Sequence, residues 1–258
     1  MRRGAGWHVN HLLELESPRG RVERVVLRRW ARPGMLEMDP NCTAGREAVT
    51  LARLEPTPVP APRVLAADPE ARHCDVPALL LELLPGTPPA PSAPVDPAAE
   101  RLAEIHQVDP TGLPPFRRYH AVPATPLPWL PRSATWDRVY EAAAGPLPGG
   151  PRTFVHRDFH LGNTLWSDGR ITGIVDWNQA SAAPPSADLG HMRWNLAAAR
   201  GPRLADRFEE AYRSITGRDH DLRWDLVSLV DVLPELEGIG VRRLDRLTRY
   251  AEGLLARL

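Results

Sequence analysis

Phe154-Val155-His156-Arg157-Asp158-Phe159-His160-Leu161-Gly162-Asn163-Thr164-Leu165-Trp166 runs into Ser167-Asp168-Gly169-Arg170 and then Ile171-Thr172-Gly173-Ile174-Val175-Asp176-Trp177. An apolar strand ends at His156, a polar loop continues to Asn163, and two apolar runs flank a Ser-Asp-Gly turn. The pattern predicts a hairpin whose ends hold Asn163 and Asp176. Together with Asp158, this is expected to bring three oxygen-bearing side chains to one end of a small sheet. Hard oxygen donors suit Mg²⁺, which takes one or two carboxylates and completes its shell with phosphate oxygens and water.

His156-Arg157-Asp158 followed by Asn163 matches the H-R-D-x-x-x-x-N pattern of phosphoryl-transfer loops literally. A metal hydrolase acting through His156, Asp158 and His160 is the competing chemistry. Histidines at i and i+4 need a helix to share a face, and Gly162 with a preceding strand argues against one.

Composition narrows the field further. The 258 residues hold 32 basic and 32 acidic side chains, so the formal charge is zero. A nucleic-acid or anionic-membrane binder should show a basic excess. No stretch approaches the roughly 20 apolar residues of a membrane span. Met1–Trp7 lacks the apolar core of a signal peptide. Cys42 and Cys74 form no paired motif, which points to the reducing cytoplasm. Every basic residue is arginine. The absence of lysine excludes a Walker A loop and any lysine nucleophile, and it makes any phosphate clamp a guanidinium fork.

The flanks supply the rest of the outline. His8–Glu16 and Val22–Trp30 are β-prone around the turn Ser17-Pro18-Arg19-Gly20, so they read as a hairpin. Thr43–Leu54 carries helical spacing, and Pro56, Pro58, Pro60 and Pro62 then impose an extended link. Val64–Ala67 and Ala78–Leu84 read as strands around a polar Asp68–Asp75 turn. Pro85–Pro97 reads as a linker. Helices follow at Asp96–Val108, capped by Asp96, and at Ser133–Ala144. Beyond Ser186 the pattern is helical, over Ser186–Arg200, Arg203–Thr216, Leu222–Leu233 and Val241–Leu258. Acidic residues there, Glu209, Glu210, Asp225, Asp231, Glu235 and Glu237, alternate with arginines and read as a solvated face more readily than as a cation-binding surface.

With these motifs in place, the chain resembles the aminoglycoside phosphotransferase and choline-kinase-like family of small-molecule kinases. The resemblance covers nearly the whole chain. It rests on His156–Trp166, Gly173–Trp177 and Ala187-Asp188-Leu189, supported by Val25–Arg29, Arg46-Glu47-Ala48, Leu79–Gly86 and Leu102–Asp109. It implies an α+β, two-lobed, protein-kinase-like fold. A small β-rich N-lobe would span residues 1–84, a hinge and connector 85–97, and a larger, mostly helical C-lobe 98–258.

The same resemblance makes Asp158 the catalytic aspartate and makes Asn163 and Asp176 the Mg²⁺ ligands. Arg28 becomes the α/β-phosphate clamp, paired with Glu47. The Glu82 carbonyl and Leu84 amide would meet adenine, while His156 and Asp188 support the catalytic loop. Arg157 stands where many members carry glycine, and Asp176-Trp177-Asn178 replaces D-F-G. Gly4-Ala5-Gly6 lacks the third glycine of a phosphate-covering loop and leaves no room for a strand ahead of it, which implies a shortened N-lobe or weakened nucleotide binding. The implied activity is transfer of the γ-phosphoryl group of ATP, or GTP, to a hydroxyl of a small molecule such as an aminoglycoside, amino alcohol, sugar or macrolide. The partner would be that acceptor, with no nucleic acid and no membrane. A protein kinase is excluded, because no Ala-Pro-Glu follows Asp176 and Asp188 comes too soon for an activation segment. A nucleotide-binding pseudokinase is the alternative.

Overall fold

The computed structural model describes residues 8–16, 20, 22–32 and 42–258. The glycine cluster at residues 4–6 and most of the turn at 17–20 lie outside these. The chain forms two compact units, Met1–Pro89 with Asn163–Ala180, and Ala90–Gly162 with Ser181–Leu258. The hairpin at 164–174 thus groups with the first unit, although the sequence outline set it in the C-lobe.

In the first unit β1 (Val9–Glu16), β2 (Val22–Arg29), β3 (Val64–Asp68) and β4 (Ala78–Glu82) make an antiparallel sheet in the order β1-β2-β4-β3. Register pairs Val25 with Glu82 and Arg28 with Leu79. Side chains alternate along a strand, so Arg28 and Arg29 leave β2 on opposite faces. Helix α1 (Ala44–Leu54) starts at Thr43, whose hydroxyl accepts from the Arg46 N–H at 3.1 Å. Its buried stripe, Ala44, Glu47, Leu51 and Leu54, follows helical periodicity but includes a carboxylate. The hairpin β6 (Thr164–Ser167) and β7 (Arg170–Ile174) turns through Asp168 and Gly169, both at positive φ, the geometry that Asp-Gly favours.

In the second unit β5 (Thr153–Val155) pairs with β8 (Ser181–Ala183). This corrects the single small sheet expected from the sequence: the strand before Asp158 belongs to its own two-stranded pair, and Asn163 and Asp176 belong to another. Ser181-Ala182-Ala183 carries no β-branched residue, so the partner strand left no signal. Helices α2 (Asp96–Ile105), α3 (Ala134–Ala144), α4 (Ser186–Arg200), α5 (Pro202–Thr216), α6 (Arg223–Val232) and α7 (Val241–Leu255) complete the unit. Asp96 is the first residue of α2, not its cap. Val95 holds the cap position, and the Asp96 carboxylate accepts from Arg207 at 3.1 Å.

Helix α4 is enclosed along most of its length and packs on α5, α6 and α7. It meets α6 backbone to backbone at Gly190, where a Cβ would stand 2.5 Å from the Trp224 carbonyl oxygen. Val155, Ala183, Ala187, Trp224 and Val227 form a core beneath the loop that carries Asp158. Asp225 and Asp231 on α6 are buried, which overturns their reading as solvated residues. Glu210, Glu235 and Glu237 are exposed, as that reading expects. Among the described residues no helix is long and apolar enough to cross a membrane, and Cys42 and Cys74 are unbridged.

Candidate active site

The residues singled out from the sequence fall in two polar clusters, one in each unit. In the first, the Arg28 guanidinium is 5% exposed and makes three contacts. Nε donates to Glu47 Oε2 at 2.8 Å, and Nη2 donates to Asp176 Oδ1 at 2.5 Å and to His8 Nδ1 at 2.9 Å. The indole of Trp30 lies 5.4 Å from the guanidinium carbon. Arg29 turns the other way and pairs with Asp75 in an exposed contact. Arg28 and Glu47 are both buried.

Glu47 Oε1 accepts from the Trp177 N–H at 3.3 Å, which ties α1 to the residue following Asp176. Burial pushes the Glu47 carboxyl up, to about 7, against the pull of Arg28. Burial opposes the Arg28 charge as well, but Glu47 and Asp176 outweigh it and raise the pKa above its ordinary value. Burial and then Arg28 lower His8 to about 3, so its ring is neutral at pH 7 and Nδ1 is an acceptor.

One guanidinium therefore faces two carboxylates, and Asp176 is the more open of the two, its side chain 29% exposed. Asp176 holds φ +70°, an uncommon conformation for a residue with a side chain. Asn163 ends the short 3₁₀ turn Leu161–Asn163, and its carbonyl accepts from the Val175 N–H at 3.0 Å. The two oxygen-bearing residues thus sit on adjoining chain ends of one hairpin. No group of three or more His, Cys, Asp or Glu side chains suited to a metal occurs among the described residues. Two hard oxygen donors fit Mg²⁺, which draws most of its shell from phosphate and water, and do not fit a zinc site. The metal-hydrolase alternative at His156, Asp158 and His160 loses its support on the same ground.

The residues that the resemblance set at the hinge lie at the end of β4 and just beyond it. The Glu82 carboxylate pairs with Arg63 at 3.0 Å, and the Leu84 side chain packs where a Cβ on Gly173 would stand.

In the second unit, Asp188 on α4 accepts the N–H groups of His156 at 2.7 Å and Arg157 at 2.6 Å. His106 Nε2 lies 3.2 Å from the same carboxylate, and its Nδ1 lies 2.6 Å from the Tyr212 hydroxyl. Burial acts to raise the Asp188 pKa, but these donors hold it below the ordinary range. Arg157 takes φ +72° and lies between the rings of Phe116 and Tyr119, 4.5 and 4.4 Å from their centroids. Asp158 Oδ1 lies 3.0 Å from His191 Nε2 and 3.6 Å from His160 Nε2, and the Asp158 N–H donates to His156 Nδ1 at 3.2 Å. Loss of solvation raises the Asp158 pKa, but the His191 bond and the neighbouring imidazoles prevail and keep it well below the usual carboxylate range.

The structure thus gathers Arg28, Glu47 and Asp176 in one unit, with Asn163 on the same hairpin, and Asp158, His156 and Asp188 in the other. Sequence reasoning missed His8, His191 and Asn178, whose amide reaches the His8 ring. The Asp188-x-x-His191 spacing was the one available sign of His191.

A family model described as the phosphotransferase enzyme family matches residues 14–224. The chain belongs to the phosphotransferase enzyme family. No curated protein matches it. Solved structures of phosphotransferases share its fold at low identity. Macrolide 2'-phosphotransferase MphH from Brachybacterium faecium has TM-score 0.58 at 19% identity, covering 96% of this chain and 92% of that one. A thermostable mutant of aminoglycoside phosphotransferase APH(4)-Ia, solved with ADP and hygromycin B, has TM-score 0.62 at 16% identity, covering 95% and 93%. Aminoglycoside phosphotransferase APH(3'')-Id from Streptomyces rimosus has TM-score 0.54 at 18% identity, covering 92% of each chain. The α+β, kinase-like fold expected from the sequence is the fold of this phosphotransferase.

Proposed function

We propose that this phosphotransferase moves the γ-phosphoryl group of ATP to a hydroxyl of a small molecule, with Asp158 as the catalytic residue. The observation that carries this reading is the Arg28 bridge: a buried arginine joins Glu47 of α1 to Asp176 of the hairpin, in a lysine-free chain that needs a cation there. Nucleotide binding is assigned to residues 1–84, the connector to 85–97 and acceptor binding to 98–258, with the metal ligands on the hairpin that groups with the first unit. The ADP and hygromycin B bound to one structural relative support a nucleotide and a hydroxylated acceptor as the substrate pair. Two unbridged thiols suit a cytoplasmic setting.

Phosphoryl transfer has a loose transition state, so the protein contributes positioning and charge more than covalent chemistry. Asn163 and Asp176 would hold the Mg²⁺, which offsets charge on the phosphate oxygens. Arg28 steadies the nucleotide phosphates, and Glu47 holds Arg28. Asp158 orients the acceptor hydroxyl. A carboxylate held below its ordinary pKa aims that proton more than it takes it early, as a loose transition state allows. Asp188 keeps the loop in place through the backbone of His156 and Arg157, and the His156 ring holds the Asp158 N–H.

ADP release from MgATP, measured across aminoglycosides, macrolides, amino alcohols and sugars, tests the reading. One class should stimulate turnover, and Asp158→Asn should lower it by at least about 10²-fold while nucleotide affinity stays within a factor of two or so. Wild-type turnover in Asp158→Asn would sink the mechanism. Nucleotide binding with no stimulated turnover would favour the pseudokinase.

A further inference from the structure

Helix α4 presents two functional side chains one turn apart. Asp188 takes the backbone N–H groups of His156 and Arg157, and His191, three residues on, reaches the side chain of Asp158. Residues at i and i+3 share a helix face, so one rotational setting of α4 places both. Gly190 fixes that setting, because any side chain there would force α4 away from the Trp224 carbonyl. His191 is 5% exposed, and the edge of its ring packs against Trp194 at 5.4 Å.

The proton on His191 can be placed. An ionised carboxylate has no hydrogen to give, so Nε2 carries the one in the 3.0 Å contact with Asp158 Oδ1. His160 is placed by a similar argument. Its Nδ1 accepts from the Gly162 N–H at 3.0 Å, so Nε2 is protonated where it faces the same oxygen at 3.6 Å.

We infer that His191 is a positioning residue of the phosphotransferase: its Nε2–H holds Oδ1 of Asp158 and so fixes the carboxylate that receives the acceptor hydroxyl. This rests on the phosphotransfer reading. His191 touches no substrate and acts through Asp158. Aspartate has two side-chain torsions, and a carboxylate able to rotate about either would lose the alignment on which the step depends.

Two measurements test the inference. The first does not depend on activity: long-range ¹H–¹⁵N spectra of the histidine-labelled protein report the tautomer of each ring. His191 should be an Nε2–H imidazole, and its Nε2–H signal should move when Asp158 is replaced by alanine. An Nδ1–H tautomer, or a signal blind to Asp158→Ala, overturns the inference whatever the enzyme does. The second is turnover of MgATP, with water and with the best acceptor of the panel. His191→Leu should lower kcat by about 10²-fold, the cost of roughly 1 Å of misplacement, with KM for MgATP and melting temperature held. His191→Gln, which keeps a donor at the same reach, should recover most of the loss. In an Asp158→Asn background His191→Leu should add little, because both changes act on one group. Undiminished kcat in His191→Leu, or losses that multiply with those of Asp158→Asn, would show that the histidine does not act through Asp158. A wild-type protein that releases no ADP with any acceptor or with water overturns the phosphotransfer reading itself, and the imidazole spectrum still decides the bond.

Discussion

Arg28 in the first unit and Arg193 in the second are both buried, and each faces more than one carboxylate. Arg193 donates through Nε to Asp225 at 2.7 Å and pairs with Glu209 at 2.5 Å and Asp206 at 3.2 Å. Asp225 is sealed, and its remaining capacity goes to His220 and the Tyr250 hydroxyl. This network joins α4, α5, α6 and α7, and its central Arg193–Asp225 pair is wholly buried. Arg28 joins Glu47 and Asp176, but Asp176 opens toward solvent. The same side-chain chemistry thus serves two ends. Arg193 and Asp225 are sealed together at the centre of their network, with the exposed Asp206 only at its rim, whereas Arg28 shares its fork with the part-open Asp176.

Substitutions should separate the two arginines. The largest effect is expected for Arg193→Met, which strands the buried Asp225 charge and should cost about 3–5 kcal/mol of stability, read from urea denaturation. A loss under about 1 kcal/mol would break the contrast. Arg28→Ala leaves Glu47 behind, but that carboxyl lies near 7 and can take a proton, so the fold should suffer less. Its effect should fall on MgATP affinity, about 10- to 100-fold, as expected for charge-assisted hydrogen bonds. Arg28→Lys should recover only part of that affinity, since an ammonium cannot hold Glu47 and Asp176 with one planar fork. Calorimetric titration of MgATP into both variants decides the point.

Acid gives a smaller effect. Burial acts to raise the Asp225 pKa, but the nearby charges of His220 and Arg193 and the hydrogen bonds from His220 and Tyr250 hold it far below the ordinary range. Its contribution is therefore complete above an unfolded value near 4 and fades as pH falls toward the native one. Roughly 1 kcal/mol should go by pH 3, and Asp225→Asn should flatten that part of the melting profile. Arg29→Ala closes the series. It removes only an exposed pair with Asp75 and should change stability and nucleotide affinity by no more than about 0.5 kcal/mol.

What the sequence disclosed follows from how local each feature is. The extents of α1 and α3 were legible because helical spacing lies within each stretch, and Thr43 and Ser133 cap them from within the same turn. The hairpin was legible because Asp168-Gly169 lies between two apolar runs. The choice between Arg28 and Arg29 was not legible, since alternation allows either face and the decision lies with Asp75, Glu47 and Asp176, all remote in sequence. Asp225 was misread for the same reason: its partner Arg193 lies 32 residues earlier, and nothing on α6 announces a buried charge. His8 and His191 were overlooked because a histidine signals its role only through neighbours that the fold supplies.

The residues after β4 are stitched to the β6–β7 hairpin. Thr87 and Trp166 exchange backbone hydrogen bonds at 3.0 and 2.8 Å, and Gly86, at φ +110°, lies so close that a Cβ would meet Thr172 Oγ1 at 2.5 Å. The stretch assigned to adenine and the stretch assigned to metal therefore form one mechanical piece, like the two jaws of a fixed-gap gauge. Such a gauge selects by length. A nucleotide whose base and terminal phosphates match the gap meets both ends at once, and a shorter one meets only one. Under the proposed roles, discrimination between triphosphate and monophosphate would then come from that spacing.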